Sequence, residues 1–217
     1  MTYEEIKKNE EVLALLEKGN ANLHVMGFTD HSTAHTALVA ERAAMILDKF
    51  GYSEHDQELV KIAGFMHDIG NAINRTHHAE YGGLLANDIL KASNLSVKDR
   101  ITVVSAISHH DESTGRAMDP ISAALIIADK TDVRRNRVID EIAQFDIHDR
   151  VNYAVTGSNL EIDVDAKKIT LELEVDETIC TMYEYFEIFL GRMMMSRNAA
   201  AMLGAEFKLK VNGSKVL

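Results

Sequence analysis

The strongest constraint on this chain is the stretch Gly64-Phe65-Met66-His67-Asp68-Ile69-Gly70, where a histidine directly precedes an aspartate at the end of an apolar run. Adjacent residues on a helix point about 100° apart, so both side chains can reach one ion only where the helix ends. Gly70 predicts such an end, because glycine commonly terminates helices. A histidine nitrogen and a carboxylate oxygen together suit a transition-metal ion. Taken alone, the pair is weak evidence for a metal site, because a buried histidine hydrogen-bonded to a neighbouring aspartate is an ordinary structural feature.

Length and composition indicate a folded domain without a membrane span. The 217 residues are 46% apolar, which predicts one main domain with a sizeable core. There is no apolar run near the ~20 residues that a membrane helix needs. The N-terminus lacks a signal-peptide pattern. The single cysteine, Cys180, excludes an intrachain disulfide and a cysteine-based metal site. We therefore expect a cytoplasmic protein.

The net charge of the chain limits the kinds of molecule that it is expected to bind. The formal net charge is −11, which argues against non-specific binding to nucleic acid or anionic lipid. A phosphate-bearing substrate would need a local positive site, made by metal ions or by clustered arginines. Ten histidines are present, and most of them lie between positions 24 and 110.

Apolar periodicity predicts a succession of helices over the first two thirds of the chain. They cover about residues 4–18, 35–50, 53–68, 77–92, 96–110 and 120–132. Ser53 and Asp56 form a predicted capping box, and Asp119 with Pro120 predicts a helix start. Residues 20–33 are polar and contain glycine, which predicts a loop. The segment from 121 is apolar on nearly every side, so we expect it to be buried.

From about residue 151 the pattern changes to strands. Residues 160–164 and 169–175 alternate apolar and polar side chains, which predicts a hairpin. A helix over 181–202 and a strand over 206–211 complete a β-β-α-β unit. The predicted architecture is mainly α: a helical domain over residues 1–150 and a small α+β appendage over 151–217. Because a short appendage buries little surface alone, we expect it, with the run Met193-Met194-Met195, to form a homodimer interface.

Histidines and aspartates fall at the ends of the predicted helices or on the buried one. His35 lies near one start, His67 and Asp68 at an end, His78 at a start, His109 and His110 at an end, and Asp129 on the buried helix. Convergence of such residues from several helices is how a helical bundle builds a metal site. An unpaired Asp129 on an apolar helix would be costly, which also argues for a cationic partner.

Five short motifs then follow one another: His35-Thr-Ala-Leu-Val-Ala, Phe65-Met-His-Asp-Ile-Gly, His78-Ala-Glu-Tyr-Gly, Ile107-Ser-His-His and Ile127-Ala-Asp-Lys. Over about residues 28–140 this order resembles the HD-domain metal-dependent phosphohydrolase superfamily, an all-helical domain with the pattern H…HD…H…H…D. The resemblance implies one metal ion held by His35, His67, Asp68 and Asp129. It implies a second ion in branches with extra histidines, here His78, His109 and His110.

Two departures leave the branch, and therefore the substrate, open. The cyclic-di-GMP phosphodiesterase branch carries Gly-Tyr-Pro after its His-His pair, and this chain does not. The dinucleoside tetraphosphate hydrolase branch is matched only loosely, through His110, Thr114, Gly115 and Met118.

The function that the resemblance implies is hydrolysis of a phosphomonoester or phosphodiester, of a nucleotide or related small molecule, by attack of metal-bound hydroxide. The cofactor is expected to be one or two divalent ions of Mn, Fe, Co, Ni or Zn, because histidine-rich sets suit all of them. Asp68 is predicted to bridge the ions, and Asp68 and Lys130 are the predicted catalytic residues. The candidates for binding phosphate are Arg75, Lys130, Arg134 and Arg135, with Arg137 beside them.

Several alternatives stay open at this stage. The arginine cluster is equally well explained as a solvated helix end paired with Asp140 and Glu141. The domain could be a non-catalytic, metal-containing regulatory or binding module that acts through its appendage. A third hypothesis is an oxygenase, since helical HD folds with a di-iron site can carry out redox chemistry. The remaining histidines are interpreted as loop, surface or outer residues: His24, His31, His55, His77 and His148.

Overall fold

The structure, a computed structural model, describes residues 1–138 and 145–216. It is mainly helical with a small C-terminal sheet, which confirms the predicted fold class. The helices are α1 (Tyr3–Ile6), α2 (Glu10–Val25), α3 (Thr33–Lys49), α4 (Glu54–Met66), α5 (His78–Lys91), α6 (Val97–Ser108), α7 (Pro120–Lys130), α8 (Ile147–Ala154) and α9 (Met182–Met202). The strands are β1 (Val155–Asp163), β2 (Lys168–Val175), β3 (Glu206–Val211) and β4 (Ser214–Lys215).

The helix starts follow the local signals in the sequence. Ser53 and Asp56 form the predicted capping box of α4, and Asp119 caps α7 with Pro120 in its first turn. Helix α3 ends at Lys49, and Gly51 follows with φ of 77°, a conformation that glycine adopts without strain. The caps of α4 and α7 are local signals, which is why the sequence predicted them.

The predicted loop over residues 20–33 is wrong in its first part. Helix α2 continues to Val25, and Gly27, with φ of 77°, follows its end. Leu16, Gly19 and Leu23 are buried along one face of α2. Packing of that face overrides the weak helix propensity of the polar and glycine residues between them.

Helix α7 lies at the centre of the bundle. All residues from 121 to 130 are buried, and α7 packs against α3, α4, α6 and α9. The prediction of a buried helix is thus confirmed. A charged side chain on such a helix needs partners inside the protein, so Asp129 and Lys130 must be paired there.

Gly70 is not a helix terminus. Helix α4 ends at Met66 with His67 as its cap, and Gly70 lies in a 3-10 turn, Ile69–Ala72. A Cβ at position 70 would overlap the carbonyl oxygen of His78 and lie 2.5 Å from the backbone nitrogen of Gly82. The glycine is required because the turn after Asp68 packs directly against the backbone of α5.

Replacing Gly70 with alanine is expected to lower the free energy of unfolding by about 3 kcal/mol, because overpacking forces the turn and α5 apart. Gly191→Ala is the matched control: it lies within α9, and apart from its chain neighbours and the nearby backbone of its own helix, no atom of the described residues lies within 4 Å of its added Cβ. That change should raise stability by about 0.5–1 kcal/mol. Urea denaturation of both variants provides the measurement, and wild-type stability of Gly70→Ala would contradict the close packing.

The C-terminal segment forms one sheet with the order β1-β2-β3-β4. β1 and β2 form the predicted antiparallel hairpin, β2 and β3 are parallel, and β3 and β4 are antiparallel. A parallel pair requires a crossover, which α9 supplies. The predicted β-β-α-β order is therefore confirmed, while α8 and β4 were missed because both are short.

Helix α9 joins the C-terminal segment to the helical bundle. It packs against α7, α8 and β3. Its buried residues include Tyr185, Phe189, Met193 and Ser196, spaced three or four apart along one face. The boundary between residues 150 and 151 and the homodimer stay predictions. Of the methionine run, Met193 and Met195 are buried and Met194 is exposed.

Across the two described ranges, none of the helices combines the length and apolar character required to span a lipid bilayer.

Candidate metal centre

Side chains from five segments of the bundle converge at one buried place. His35 comes from the first turn of α3, and His67 and Asp68 follow the last residue of α4. His78 opens α5, His110 lies just beyond the end of α6, and Asp129 is in the last turn of α7. All six are less than a tenth exposed. The helix ends aim their side chains at a common point, which a helix middle could not do for two adjacent residues.

The histidine rings are held in one tautomer by their Nδ1 atoms. The Nδ1 atom of His67 lies 2.7 Å from the carbonyl oxygen of Gly64. That of His110 lies 2.7 Å from the carbonyl oxygen of Ile107, and that of His78 lies 3.0 Å from the carbonyl oxygen of Arg75. A carbonyl only accepts hydrogen bonds, so each Nδ1 donates. The Nε2 lone pair of each neutral ring then points away from that carbonyl, on the side of the ring where it could bind a metal ion.

One set of atoms contains both carboxylates. His35 Nε2 lies 3.4 Å from Asp129 Oδ1 and 3.9 Å from Asp68 Oδ2. His67 Nε2 lies 3.3 Å from Asp68 Oδ2 and 3.7 Å from Asp129 Oδ1. Ligand atoms that share one ion at about 2.1 Å lie roughly 3.0–3.4 Å apart. These four atoms therefore need only a small contraction to hold one ion.

The other carboxylate oxygen of Asp68, Oδ1, faces a second set of possible metal-binding atoms. Asp68 Oδ1 lies 3.8 Å from His78 Nε2 and 4.0 Å from His110 Nε2. The two Nε2 atoms are 3.2 Å apart, and Asp111 Oδ1 lies 3.9 Å from that of His78. Two acceptor nitrogens at this distance repel each other unless a cation or proton lies between them. Asp68 is thus shared between two groups of donors.

The donor set fits divalent transition-metal ions. His35 Nε2 and Asp68 Oδ2 are buried and have no hydrogen-bond partner within the described part of the chain. Unpartnered buried polar atoms are costly and call for an explanation. Nitrogen and carboxylate oxygen without sulfur suit the Mn, Fe, Co, Ni and Zn class predicted from the sequence. A bound cation would satisfy both atoms.

The electrostatics of the site also favour a cation. Burial tends to raise the pKa of a carboxyl group, but His67 and His31 outweigh burial for Asp68, as Lys130 does for Asp129, and both pKa values lie well below the usual value. Burial lowers the pKa of His110 to about 3 and also lowers that of His78. The site thus presents ionised carboxylates beside the neutral rings of His78 and His110, the protonation states that metal ligands require. Burial tends to lower the pKa of His67 as well, but the carboxylates of Asp68 and Asp129 outweigh burial and raise it.

Metal removal is therefore expected to lower thermal stability. An ion present at a hundred times its dissociation constant stabilises the folded state by about 2.7 kcal/mol. In a chain of this size that corresponds to a shift of about 5–10 °C in Tm. Scanning calorimetry before and after chelation measures the shift. His35→Ala should reduce it, whereas His55→Ala, an exposed histidine on α4, should not. Identical Tm values with and without metal would contradict the site.

Asp132 contacts His35 through Nδ1, the ring nitrogen that does not face Asp68 and Asp129. Its Oδ2 accepts a 2.7 Å hydrogen bond from His35 Nδ1, and its side chain is fully buried. Arg134 and Arg137 both contact Asp132: Arg134 Nη2 lies 3.0 Å from Asp132 Oδ2, and Arg137 Nη1 donates to the Asp132 carbonyl at 2.9 Å. Asp132 therefore orients a ring of the centre while two guanidinium groups balance its charge.

The structure does not bring the whole arginine cluster to the centre. Arg135 donates to the carbonyl of Tyr153 on α8 at 2.6 Å, and Arg137 donates to that of Asp30. Arg134 contacts Asp132, and no other contact between it and the centre is found among residues 1–138 and 145–216. The role of Arg134 and Arg135 in binding phosphate stays a prediction. Asp140 and Glu141, the partners of the alternative interpretation, lie outside the described residues.

Lys130 and Arg75 lie next to the converging side chains. Lys130 Nζ is 2.8 Å from Asp129 Oδ2 and 2.7 Å from Glu112 Oε2. Burial tends to lower the pKa of this lysine, but Asp129 and Glu112 outweigh burial and raise it. Arg75 Nη1 lies 3.4 Å from His78 Nε2. Both residues lie beside the converging side chains, and their roles in catalysis and in binding phosphate stay predictions.

The two adjacent histidines after α6 differ. His110 is buried in the centre, whereas His109 is half-buried and its Nδ1 contacts the carbonyl of Ser105 at 2.9 Å. His109 is not part of the groups of converging donor atoms found among the described residues. His31, interpreted from sequence as a loop residue, is buried with its ring 5.6 Å from that of His35.

A cavity of about 340 Å³ adjoins this centre. Arg75 and His31, which contact or neighbour the converging histidines, are part of its wall, together with the loop after α2. The C-terminal segment contributes Asn152 of α8 and Ile188, Phe189 and Arg192 of α9. The wall also includes Glu112, Asp146 and His148. The volume is within the range of small-molecule sites.

Several residues at the site were missed from sequence. Asn71 donates to Asp68 Oδ1 at 2.9 Å and orients the shared carboxylate. Asp132 follows Asp129 by three residues, just beyond the end of α7, and this short spacing to a predicted ligand is a signal that could have identified it. Glu112 and Arg192 meet only through the tertiary fold, with Arg192 Nε 3.4 Å from Glu112 Oε1, and no local pattern marks them.

Comparison with known proteins agrees with this geometry. The sequence model of the HD domain family matches residues 33–136, which contain all six converging side chains. The chain is also similar to the uncharacterized protein MJ1020 of Methanocaldococcus jannaschii, with 25% identity over 80% of this chain and 75% of the relative. That likeness extends beyond the matched domain. Residues 33–136 of this chain therefore match the HD domain, and the buried histidines and aspartates fit the metal-binding pattern of that family.

Proposed function

We propose that this protein is a hydrolase that cleaves a phosphomonoester or phosphodiester bond in a small molecule, most simply a nucleotide, with one or two divalent transition-metal ions. The observation that carries the proposal is the shared carboxylate: Asp68 Oδ2 faces His35 and His67 while Asp68 Oδ1 faces His78 and His110. One carboxylate between two nitrogen sets is the arrangement that a two-ion phosphohydrolase needs.

When bound, such ions supply a water of lowered pKa and neutralise charge on the phosphoryl group. The protein's own residues provide position and charge. The Nδ1 hydrogen bonds fix four rings with their Nε2 atoms inward. Asn71 holds Asp68, and Lys130 neutralises the outer oxygen of Asp129. Little more is required of the protein in phosphoryl transfer than this positioning and electrostatic stabilisation.

The cavity supports a small substrate. Its volume of about 340 Å³ suits a compound of nucleotide size rather than a polymer, and the wall carries Arg75 beside the centre. The net charge of −11 also disfavours long polyanions, because attraction to them would have to come from a local site alone.

The test is a substrate panel with reconstituted protein. Chelated protein is loaded separately with Mn²⁺, Fe²⁺, Co²⁺, Ni²⁺ or Zn²⁺ and assayed for phosphate release from nucleoside mono-, di- and triphosphates and from cyclic and dinucleotide diesters. The expected result is metal-dependent turnover of at least one class. Bound metal without hydrolysis of any compound would overturn the proposal and favour a metal-containing binding module.

A further inference from the structure

A row of alternating charges leads from the converging side chains to the C-terminal helix. Asp129 Oδ2 lies 2.8 Å from Lys130 Nζ, which lies 2.7 Å from Glu112 Oε2. The other oxygen of Glu112 lies 3.4 Å from Arg192 Nε. Arg192 is therefore the last member of a row that begins at a residue of the centre, and it lies outside the segment matched by the HD domain.

The two positively charged side chains in this row, Lys130 and Arg192, differ in their contacts. Lys130 is only 5% exposed, and its ammonium group contacts two carboxylates. The side chain of Arg192 is 20% exposed and lines the cavity. Its Nε faces Glu112, but the two terminal nitrogens have no hydrogen-bond partner among residues 1–138 and 145–216. Arg192 thus has donors left for a ligand.

The guanidinium group of Arg192 is also held in place. It lies over the ring of Phe189, 5.1 Å from the ring centroid, while Glu112 anchors its inner edge. A planar guanidinium with two free terminal nitrogens matches two oxygens of a phosphate group. Because the side chain is already oriented, little rotamer entropy is lost when a ligand binds.

We propose that Arg192 binds phosphate oxygens of the substrate in this cavity, so that the C-terminal helix completes the substrate site. The inference rests on the proposed function for the identity of the substrate, but not for the binding of phosphate itself. It gives the C-terminal segment a role within the site: α9 supplies a phosphate-binding residue that the HD domain does not contain.

Titration calorimetry of the metal-loaded full chain with inorganic phosphate tests the inference. Arg192→Gln should weaken phosphate binding by about 10- to 100-fold, the usual effect of losing charge-assisted hydrogen bonds. The phosphate affinity of Arg192→Lys should lie between that of Arg192→Gln and that of the wild type, because lysine keeps the positive charge but lacks the planar pair of donor nitrogens. Arg197→Gln is the matched control: the same change on the same helix, at an exposed position. It should bind phosphate as the wild type does.

The outcomes separate a binding role from a structural one. A lower Tm for Arg192→Gln with unchanged phosphate affinity would reduce Arg192 to a structural partner of Glu112 and overturn the inference. Equal weakening in Arg197→Gln, or no phosphate binding by the wild type, would also overturn it. If the wild type hydrolyses no substrate, the proposed function fails. This inference still stands in that case if phosphate affinity falls in Arg192→Gln and not in Arg197→Gln. In an active enzyme the expected change is a raised KM, since the contact exists before the transition state.

Discussion

Replacing Asp68 with asparagine is expected to reduce turnover by at least about 10³-fold and to remove most of the bound metal. Each oxygen of Asp68 faces a different pair of histidine nitrogens. Asparagine keeps the shape but offers one acceptor oxygen and no charge, so neither set stays complete. Loss of several kcal/mol of transition-state stabilisation corresponds to this change in rate. Elemental analysis and steady-state kinetics on the same preparation measure both effects.

Asp88→Asn is the matched control for this variant. Asp88 is exposed on α5 and pairs with Lys91 at 2.7 Å, so the same chemical change there should leave metal content and turnover unaltered. Wild-type metal content and turnover in Asp68→Asn would contradict the shared carboxylate. Loss of metal from one set only, with one equivalent remaining, would instead show that the ions bind independently.

Replacing Asp132 with alanine is expected to cost about 3–5 kcal/mol of the free energy of unfolding, because it leaves Arg137 buried without its carboxylate partner. The side chain of Arg137 is only 4% exposed, so water cannot take over that role. The change also frees His35 Nδ1, which Asp132 holds at 2.7 Å. Losing such a supporting hydrogen bond typically lowers metal affinity by about 10- to 100-fold.

Two further variants separate these effects. Asp132→Asn keeps an oxygen for His35 but removes the charge, so it should lose stability more than metal affinity. Arg134→Gln removes a partner whose side chain is 30% exposed, and the expected change is within about 1 kcal/mol. Denaturant titration and competition with a chromogenic chelator give the two quantities. Near wild-type stability of Asp132→Ala would show that Arg137 finds another partner.

The sequence predicted the helical order and the meeting of the main side chains because both depend on local signals. Apolar periodicity and caps such as Ser53 and Asp119 locate the helices. A histidine or aspartate at a helix end, as at His67 and Asp68, can leave the helix surface and face a shared point. His35, His78, His110 and Asp129 lie in similar positions, and the structure brings all six together. Their binding of metal stays a prediction for the experiments above.

The failures have a common physical cause. The end of α2, the packing role of Gly70 and the contacts of Arg135 all depend on what another part of the chain places beside them. Propensity and spacing describe one segment at a time, so they cannot report a backbone that approaches from elsewhere. The same limit left His109 and His110 indistinguishable until the end of α6 was placed.

By itself, the sequence determined that this chain is a mainly helical protein whose histidines and aspartates lie at helix ends in the HD order. Only the tertiary structure decided that Asp68 is shared between two donor sets and that Asp132 orients His35. It also decided that Arg192 reaches the cavity from α9, 80 residues along the chain from Glu112. Helix formation depends on residues that are close in the sequence. The electrostatic field and the shape of a site depend on side chains that only folding brings into contact.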